Sequence, residues 1–298
     1  MNIRQTLAAR AKETGCSYKQ LLTHYAMERF LYRLSCSPHA GSFFLKGGML
    51  LMGMGTAPAR TTMDIDLLGR VDNSPENIAR VFRSILHAKT HGSDNVTFDA
   101  GSMRTSEIMK DALYVGVRVT LNANVAGEPC AVSVDIGFSD EIYPKPVELQ
   151  YPPTIPGQPT AKLLCYTRES MVAEKWQAMV ELGRFNSRMK DFYDLWFLMH
   201  HYAFKMASLQ EAIRQTFERR GTSPEKYVSL RNADFIDSHQ PEWATYVTKL
   251  KSATYMRKPK VELPAKDFAA VMAEILEWLG PVMEQSSYTS WKPGRGWR

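Results

Sequence analysis

The sequence predicts an α+β protein, with strands confined to the first half and a mainly helical second half. Two observations predict the strands. Val115, Val117, Val119 and Leu121 alternate strictly within 113–125, and Val132, Val134 and Ile136 repeat the pattern in 131–136. A third marks the change of character: six prolines fall between Pro144 and Pro159, and beyond Tyr166 apolar residues recur at helical spacing almost to the end. The chain is therefore expected to divide into a core over 1–159 and a helical domain over 160–298.

Taken in order, residues 18–35 carry apolar side chains at helical spacing and predict an amphipathic helix. Phe43-Phe44-Leu45, stopped by Gly47-Gly48, reads as a buried strand entering a tight turn, with a helix beginning in 49–54. Asp64 to Leu68 is a second strand-like piece. Residues 75–87 follow as a helix, with Ser74 as N-cap and Pro75 at the first position, where its missing N–H is no loss. Gly127-Glu128 separates the two alternating stretches, so these should form a hairpin. The proline-rich stretch is expected to break regular structure, and no internal repeat or low-complexity tract is present.

The chain has 298 residues, 44% apolar and 23% charged, a composition that supports a substantial core and excludes a disordered chain. No apolar run approaches the roughly 20 residues that span a bilayer. Met1 to Gln5 lacks the basic-then-apolar pattern of a secretory signal. The cysteines Cys16, Cys36, Cys130 and Cys165 are too widely spaced for a zinc or redox motif. A cytoplasmic protein with reduced thiols and no membrane partner is expected.

Formal net charge is +6, and most of the excess lies late: residues 1–159 hold 16 basic and 15 acidic side chains, the remainder 21 and 16. Lys249, Lys251, Arg257, Lys258 and Lys260 form a cluster with no acid between Trp243 and Val261. Residues 291–298 add three cations and the rings of Trp291 and Trp297. Basic groups with interleaved aromatics suit a polyanion whose bases stack, while a solvated basic face explains them equally well.

Three carboxylates stand in apolar, strand-like settings. Asp64 and Asp66 flank Ile65, and residues two apart in a strand point the same way. Asp135 lies between Val134 and Ile136 on a different strand. If the strands are neighbours, the three converge, and their repulsion demands cations. Hard oxygen ligands of this kind select Mg²⁺, and two such ions activate a hydroxyl and stabilise a leaving pyrophosphate. A bare Asp-x-Asp is more often a turn or cap. The upstream Gly47-Gly48 turn, which lets backbone approach phosphates, and the Arg60-x-Thr62-x-Asp64-x-Asp66 spacing favour the site.

A second group follows the prolines. Lys175 sits beside the stripe Met171, Ala178, Met179 and Leu182, where a lysine is usually solvated. Asp191 and Asp194 share a helix face and equally suit an ion-pair lattice with Arg184, Arg188 and Lys190. No phosphate-loop, His-Glu-x-x-His or Gly-x-Ser-x-Gly motif occurs, and the seven histidines show no ligand pattern.

Lys46-Gly47-Gly48, Arg60-Thr61-Thr62-Met63-Asp64-Ile65-Asp66-Leu67, Lys175 and Arg188-Met189-Lys190-Asp191-Phe192-Tyr193-Asp194-Leu195 together resemble the AbiEii-type nucleotidyltransferase toxins of bacterial toxin–antitoxin and phage-defence systems. The resemblance runs in order from Lys46 to Leu195. It implies a polymerase-β-like nucleotidyltransferase core, a mixed sheet with flanking helices, followed by a mainly helical domain that contributes Lys175 and Asp191 to the site. It implies transfer from a nucleoside triphosphate, with tRNA 3′ ends the acceptor for some members, and a cognate antitoxin. On the same resemblance Asp64 and Asp66 match the metal pair, Thr62 the hydroxyl before it, Lys175 a triphosphate-holding lysine, Asp191 the acid of the Arg-x-Lys-Asp segment, and Asp135 the third carboxylate. Met49 departs from the pattern, because many nucleotidyltransferases place Ser after the glycines; backbone amides, Thr62 or Arg60 must then serve the phosphates.

The leading expectation is a Mg²⁺-dependent nucleotidyltransferase toxin acting on RNA, tRNA foremost, and blocking translation. Nucleotidylation of a protein or small-molecule hydroxyl is the second reading, and an inactive nucleic-acid-binding or interaction protein the third.

Overall fold

A computed structural model describes residues 2–55, 60–110, 114–254 and 262–298. It shows the expected α+β class in two compact units. The first holds residues up to Ser139 together with Pro146–Tyr166; the second holds Asp140–Lys145, Thr167–Ala253 and Glu262–Arg298.

The first unit opens with α1 (Ile3–Thr14) and α2 (Tyr18–Cys36). Then come β1 (Phe43–Lys46), α3 (Gly47–Gly53), β2 (Ile65–Gly69), α4 (Pro75–Leu86), β3 (Val96–Lys110), β4 (Tyr114–Val125), β5 (Glu128–Gly137), β6 (Val147–Gln150) and β7 (Lys162–Cys165). The strands make one mixed sheet in the order β3-β4-β5-β2-β1-β7-β6. β2 runs parallel to β5 and β1 parallel to β7, while the other pairs are antiparallel. From Val117 on, the alternating residues do what their period predicts, whereas Val115 is 50% exposed. Val117, Val119, Leu121, Val132, Val134 and Ile136 are buried, and α2 and α4 pack on the sheet with Phe30 and Phe82 stacked at 5.4 Å between them. The hairpin turn is Ala126-Gly127, one residue earlier than expected; both residues have positive φ, the backbone that a two-residue turn requires.

Three strands of this sheet, β3, β6 and β7, carry no strand signature in the sequence. β3 is a long, largely polar edge strand with a bulge between Asp99 and Arg104, so it lacks alternation. β6 falls inside the proline-rich stretch, between prolines rather than across them. β7 lies beyond the boundary expected at 159/160, yet it belongs to this sheet because it pairs with β1 and β6. Buried polar groups also tie the proline-rich segment to α2. Glu28, ion-paired with Arg29, accepts the Thr154 amide at 2.5 Å, and Arg29 Nη2 donates to the Pro159 carbonyl at 2.9 Å.

The second unit contains α5 (Arg168–Leu182), α6 (Met189–His201), β8 (Phe204–Lys205), α7 (Met206–Arg220), α8 (Ala233–Thr254), α9 (Phe268–Met283), β9 (Ser290–Lys292) and β10 (Gly296–Trp297). Its core is aromatic: Phe192 packs edge-on against Phe268 at 5.0 Å and Trp243 at 6.5 Å. β8, β9 and β10 form a small antiparallel sheet. The two late tryptophans are structural parts of it. Trp291 Nε1 donates to the Met199 carbonyl at 2.8 Å, and Trp297 Nε1 to that of Trp278 at 2.7 Å. The Trp291 ring is thus buried in the fold, and the half-buried Trp297 ring stacks on Tyr288. Among the described residues, no helix is long and apolar enough to cross a membrane.

Candidate active site

Strand register brings the carboxylates together. Lys46 on β1 pairs with Asp66 on β2, Asp66 with Asp135 on β5, and Asp135 with Arg118 on β4. One rung of the sheet therefore reads Lys46, Asp66, Asp135, Arg118, two acids between two cations. Residues in register on adjacent strands project from the same face, so the acids share one side of the sheet. Asp64 lies at a bend just before β2, where the Thr62 hydroxyl donates to its carboxylate.

Arg118 grips Asp135 with both arms: Nε donates to Oδ1 at 2.7 Å and Nη2 to Oδ2 at 2.8 Å. Those bonds raise the Arg118 pKa, and the charges of Asp64 and Asp66 push it the same way, which places all three acids in one field. The Arg118 side chain is 46% exposed while that of Asp135 is 9% exposed. Lys46 is buried against Tyr166, with Nζ 5.1 Å from the ring centroid.

The glycine turn is shaped around these groups. Gly47 has φ +64°, and a Cβ there would lie 2.1 Å from Asp66 Oδ2. A Cβ on Gly48 would lie 2.7 Å from Thr62 Cβ and 2.9 Å from Arg60 Nη1. Both positions need glycine on steric grounds, and Gly47 on conformational grounds as well. Met49, the departure noted in the sequence, is fully buried and its sulfur accepts the Tyr151 hydroxyl at 3.7 Å. It serves the core and faces no phosphate.

Asp64, Asp66 and Asp135 offer the hard oxygen donors that Mg²⁺ takes, and the space a Cβ would fill at Gly47 keeps the Asp66 carboxylate approachable. Among the described residues no three His, Cys, Asp or Glu side chains are drawn together tightly enough to hold an ion; Asp135 gives its oxygens to Arg118 instead. The donor chemistry fits the cation, and Arg118 stands in for its charge at Asp135.

In the second unit Lys175 lies on α5, and its Nζ contacts Asp191 Oδ1 and Asp194 Oδ2 of α6, each at 2.7 Å. Arg188 Nε reaches Asp191 Oδ2 at 2.9 Å. Burial alone would raise the Asp191 pKa, but Lys175, Arg188 and Lys190 outweigh it and hold the carboxyl below its ordinary range. Lys175 is thus the hub of a buried ion-pair cluster rather than a solvated lysine. Arg184, expected in the same lattice, lies instead over the exposed Phe185 ring, 4.8 Å from its centroid. Lys249 and Lys251 are exposed on α8. Arg257, Lys258 and Lys260 lie outside the described residues.

Arg118 and the placement of Lys46 escaped the sequence reading. The signal for Arg118 was present: from the two-residue turn at Ala126-Gly127, counting back along the hairpin pairs 118 with 135. Setting the turn one residue later loses that pairing.

The family model described as nucleotidyl transferase AbiEii toxin, type IV TA system, matches residues 29–273. No curated protein matches the sequence. Among solved structures, JHP933 from Helicobacter pylori is similar at 14% identity with a TM-score of 0.48, over 91% of this chain and 95% of that one. A putative nucleotidyltransferase from H. pylori is similar at 15% identity with a TM-score of 0.47, over 90% and 98%.

Proposed function

Because the chain belongs to the AbiEii family of nucleotidyltransferase toxins, we propose that it transfers a nucleoside monophosphate from a nucleoside triphosphate to an RNA 3′ end, tRNA foremost, in a Mg²⁺-dependent reaction that blocks translation in the cytoplasm. The family is that of toxins from type IV toxin–antitoxin systems, so an antitoxin is the expected partner.

The observation that carries this reading is the rung Lys46, Asp66, Asp135, Arg118 beside the Gly47 turn. In the reaction a 3′ hydroxyl oxygen bonds to the α-phosphorus as its proton passes to solvent, the bond from that phosphorus to the bridging oxygen breaks, and pyrophosphate leaves with that bonding pair. Mg²⁺ held by Asp64, Asp66 and Asp135 would neutralise the acids and the phosphate charge. Gly47 lets the triphosphate approach Asp66 without a Cβ in between. Thr62 orients Asp64 through their hydrogen bond, and Arg60, buried against Gly48, adds a fixed cation beside the turn. Lys175, with Asp191, is the second-unit group proposed to act on the triphosphate.

Incubation with each labelled nucleoside triphosphate, Mg²⁺ and total RNA tests the proposal. Label should appear on RNA, and Asp64→Ala and Asp66→Ala should each abolish it with the fold intact. Label on protein or a small molecule would move the acceptor to the second reading; no transfer by wild type, or near-normal turnover by either variant, would remove the proposal.

A further inference from the structure

An open cavity of about 630 Å³ lies in the second unit, between the start of α6 and one face of α8. Arg188, the N-cap of α6, and Lys190 in its first turn line it on one side; Pro241, Tyr246 and Lys249 line it from α8. The α8 residues stand four or so positions apart, so they form a single stripe along the helix. Two separate features of the sequence meet here: the Arg-x-Lys-Asp segment and the first cation of the late basic run. Three cations face one acid, Glu242, so the lining is net positive. The bonds from Arg188 Nε to Asp191 and from Lys175 to the same carboxylate anchor the α6 wall. Tyr246 is braced by Trp243 at 5.7 Å and Tyr193 at 6.3 Å, which fixes its ring at the cavity wall.

We propose that this cavity binds a single-stranded segment of the acceptor RNA, with phosphates on Lys190, Lys249 and Arg188 and a base against Tyr246. The proposal deepens the reading of the protein as an RNA-directed nucleotidyltransferase and rests on it. The volume is that of a small-ligand pocket and accommodates a nucleotide. Interleaved cations and an aromatic wall match a strand in which every residue presents both charge and a π-face; an acidic peptide presents π-faces only where it carries aromatic side chains. Beyond Lys249 the sequence continues to 260 without an acid, so the positive charge extends past the cavity along the chain.

The test is anisotropy of a labelled, unstructured RNA at two salt concentrations, with a fluorescent nucleoside triphosphate measured in parallel. Lys249→Ala should weaken RNA binding and flatten the log–log salt dependence by about 0.7, and Lys190→Ala in the same chain by about 0.7 more. Tyr246→Leu should weaken RNA binding by roughly fivefold or more while leaving the salt slope unchanged, as loss of stacking without loss of charge requires. Lys190 and Lys249 are exposed, so unchanged melting temperatures should confirm folding. Equal slopes in wild type and the double variant overturn the proposal. So does a loss of triphosphate affinity in Lys249→Ala that equals the loss for RNA. RNA binding with the expected slopes, but no nucleotide transfer by wild type, would sink the proposed reaction and keep the cavity; transfer to RNA with unchanged slopes would do the reverse.

Discussion

Gly47 and Asp66 occupy space that only one of them can fill: a Cβ on the glycine would lie 2.1 Å from the aspartate Oδ2. The turn and the carboxylate are one steric unit. Gly47→Ala should therefore displace Asp66 and adopt a strained φ of +64°, costing about 1–2 kcal/mol of stability from the backbone alone. Nucleotide transfer should fall far more than the melting temperature does. Full transfer by a correctly folded Gly47→Ala variant would show that Asp66 need not hold its observed position.

Arg118 and a divalent cation compete for Asp135. Removing the arginine leaves Asp135 beside Asp66 with no positive partner from β4. Arg118→Ala should lower the melting temperature without divalent ions, and Mg²⁺ should raise it more than it does for wild type. Thermal melts across a Mg²⁺ series read this directly, without catalysis. Parallel curves for the two proteins would mean that Arg118 does not guard the ligand.

Lys175 neutralises two buried acids. Lys175→Ala removes the cation that Asp191 and Asp194 share, leaving Arg188 on Asp191, and should destabilise the protein by about 3–5 kcal/mol, a larger effect than a surface lysine allows. Lys175→Met combined with Asp194→Asn should recover much of that loss in a denaturant titration. Any triphosphate role of Lys175 is then read in the restored background, as a raised nucleotide requirement and lower turnover. A wild-type midpoint for Lys175→Ala would contradict the buried cluster.

His24 sets a pH limit on the first unit. Burial, and secondarily the charge of Arg10, lowers its pKa to about 4, and its Nδ1 is buried without a hydrogen-bond partner. The folded state keeps the ring neutral while the unfolded chain protonates near pH 6.5, so the unfolded state binds more protons between those values. Stability should fall as pH drops from about 6.5 to about 4, by up to roughly tenfold in the folding constant per pH unit from this group. His24→Leu should lose that component of the slope in paired denaturation curves. Equal slopes would place the ring in contact with water.

Much of the site was legible because its residues break local rules. Asp66 and Asp135 are charges in runs of valine, isoleucine and leucine, and Gly47-Gly48 interrupts a buried strand; sequences tolerate such conflicts where function needs them. The helices α2 and α4 were legible from period and from Pro75. β3 and β6 were not, since edge strands bury one face poorly and need not alternate. α1 rests on only Ile3, Leu7 and Ala11, a stripe too thin to stand out. The meaning of Lys175 was undecidable in one dimension. A lysine beside an apolar stripe is solvated or buried according to what packs over it, and here α6 brings two acids.

Lys46 and Tyr166 touch although they lie 120 positions apart. Between them the chain must lay down β2, β5 and β4 before β7 arrives to close the other side of β1. Loop closure of that length adds little to the thermodynamic cost but delays the contact, because distant pairings form late. During synthesis, then, all four residues of the rung emerge before the ring that covers its lysine. A chain that has reached Asp135 still lacks β7, so the Lys46 side of the rung is completed only when residues 162–166 pair with β1.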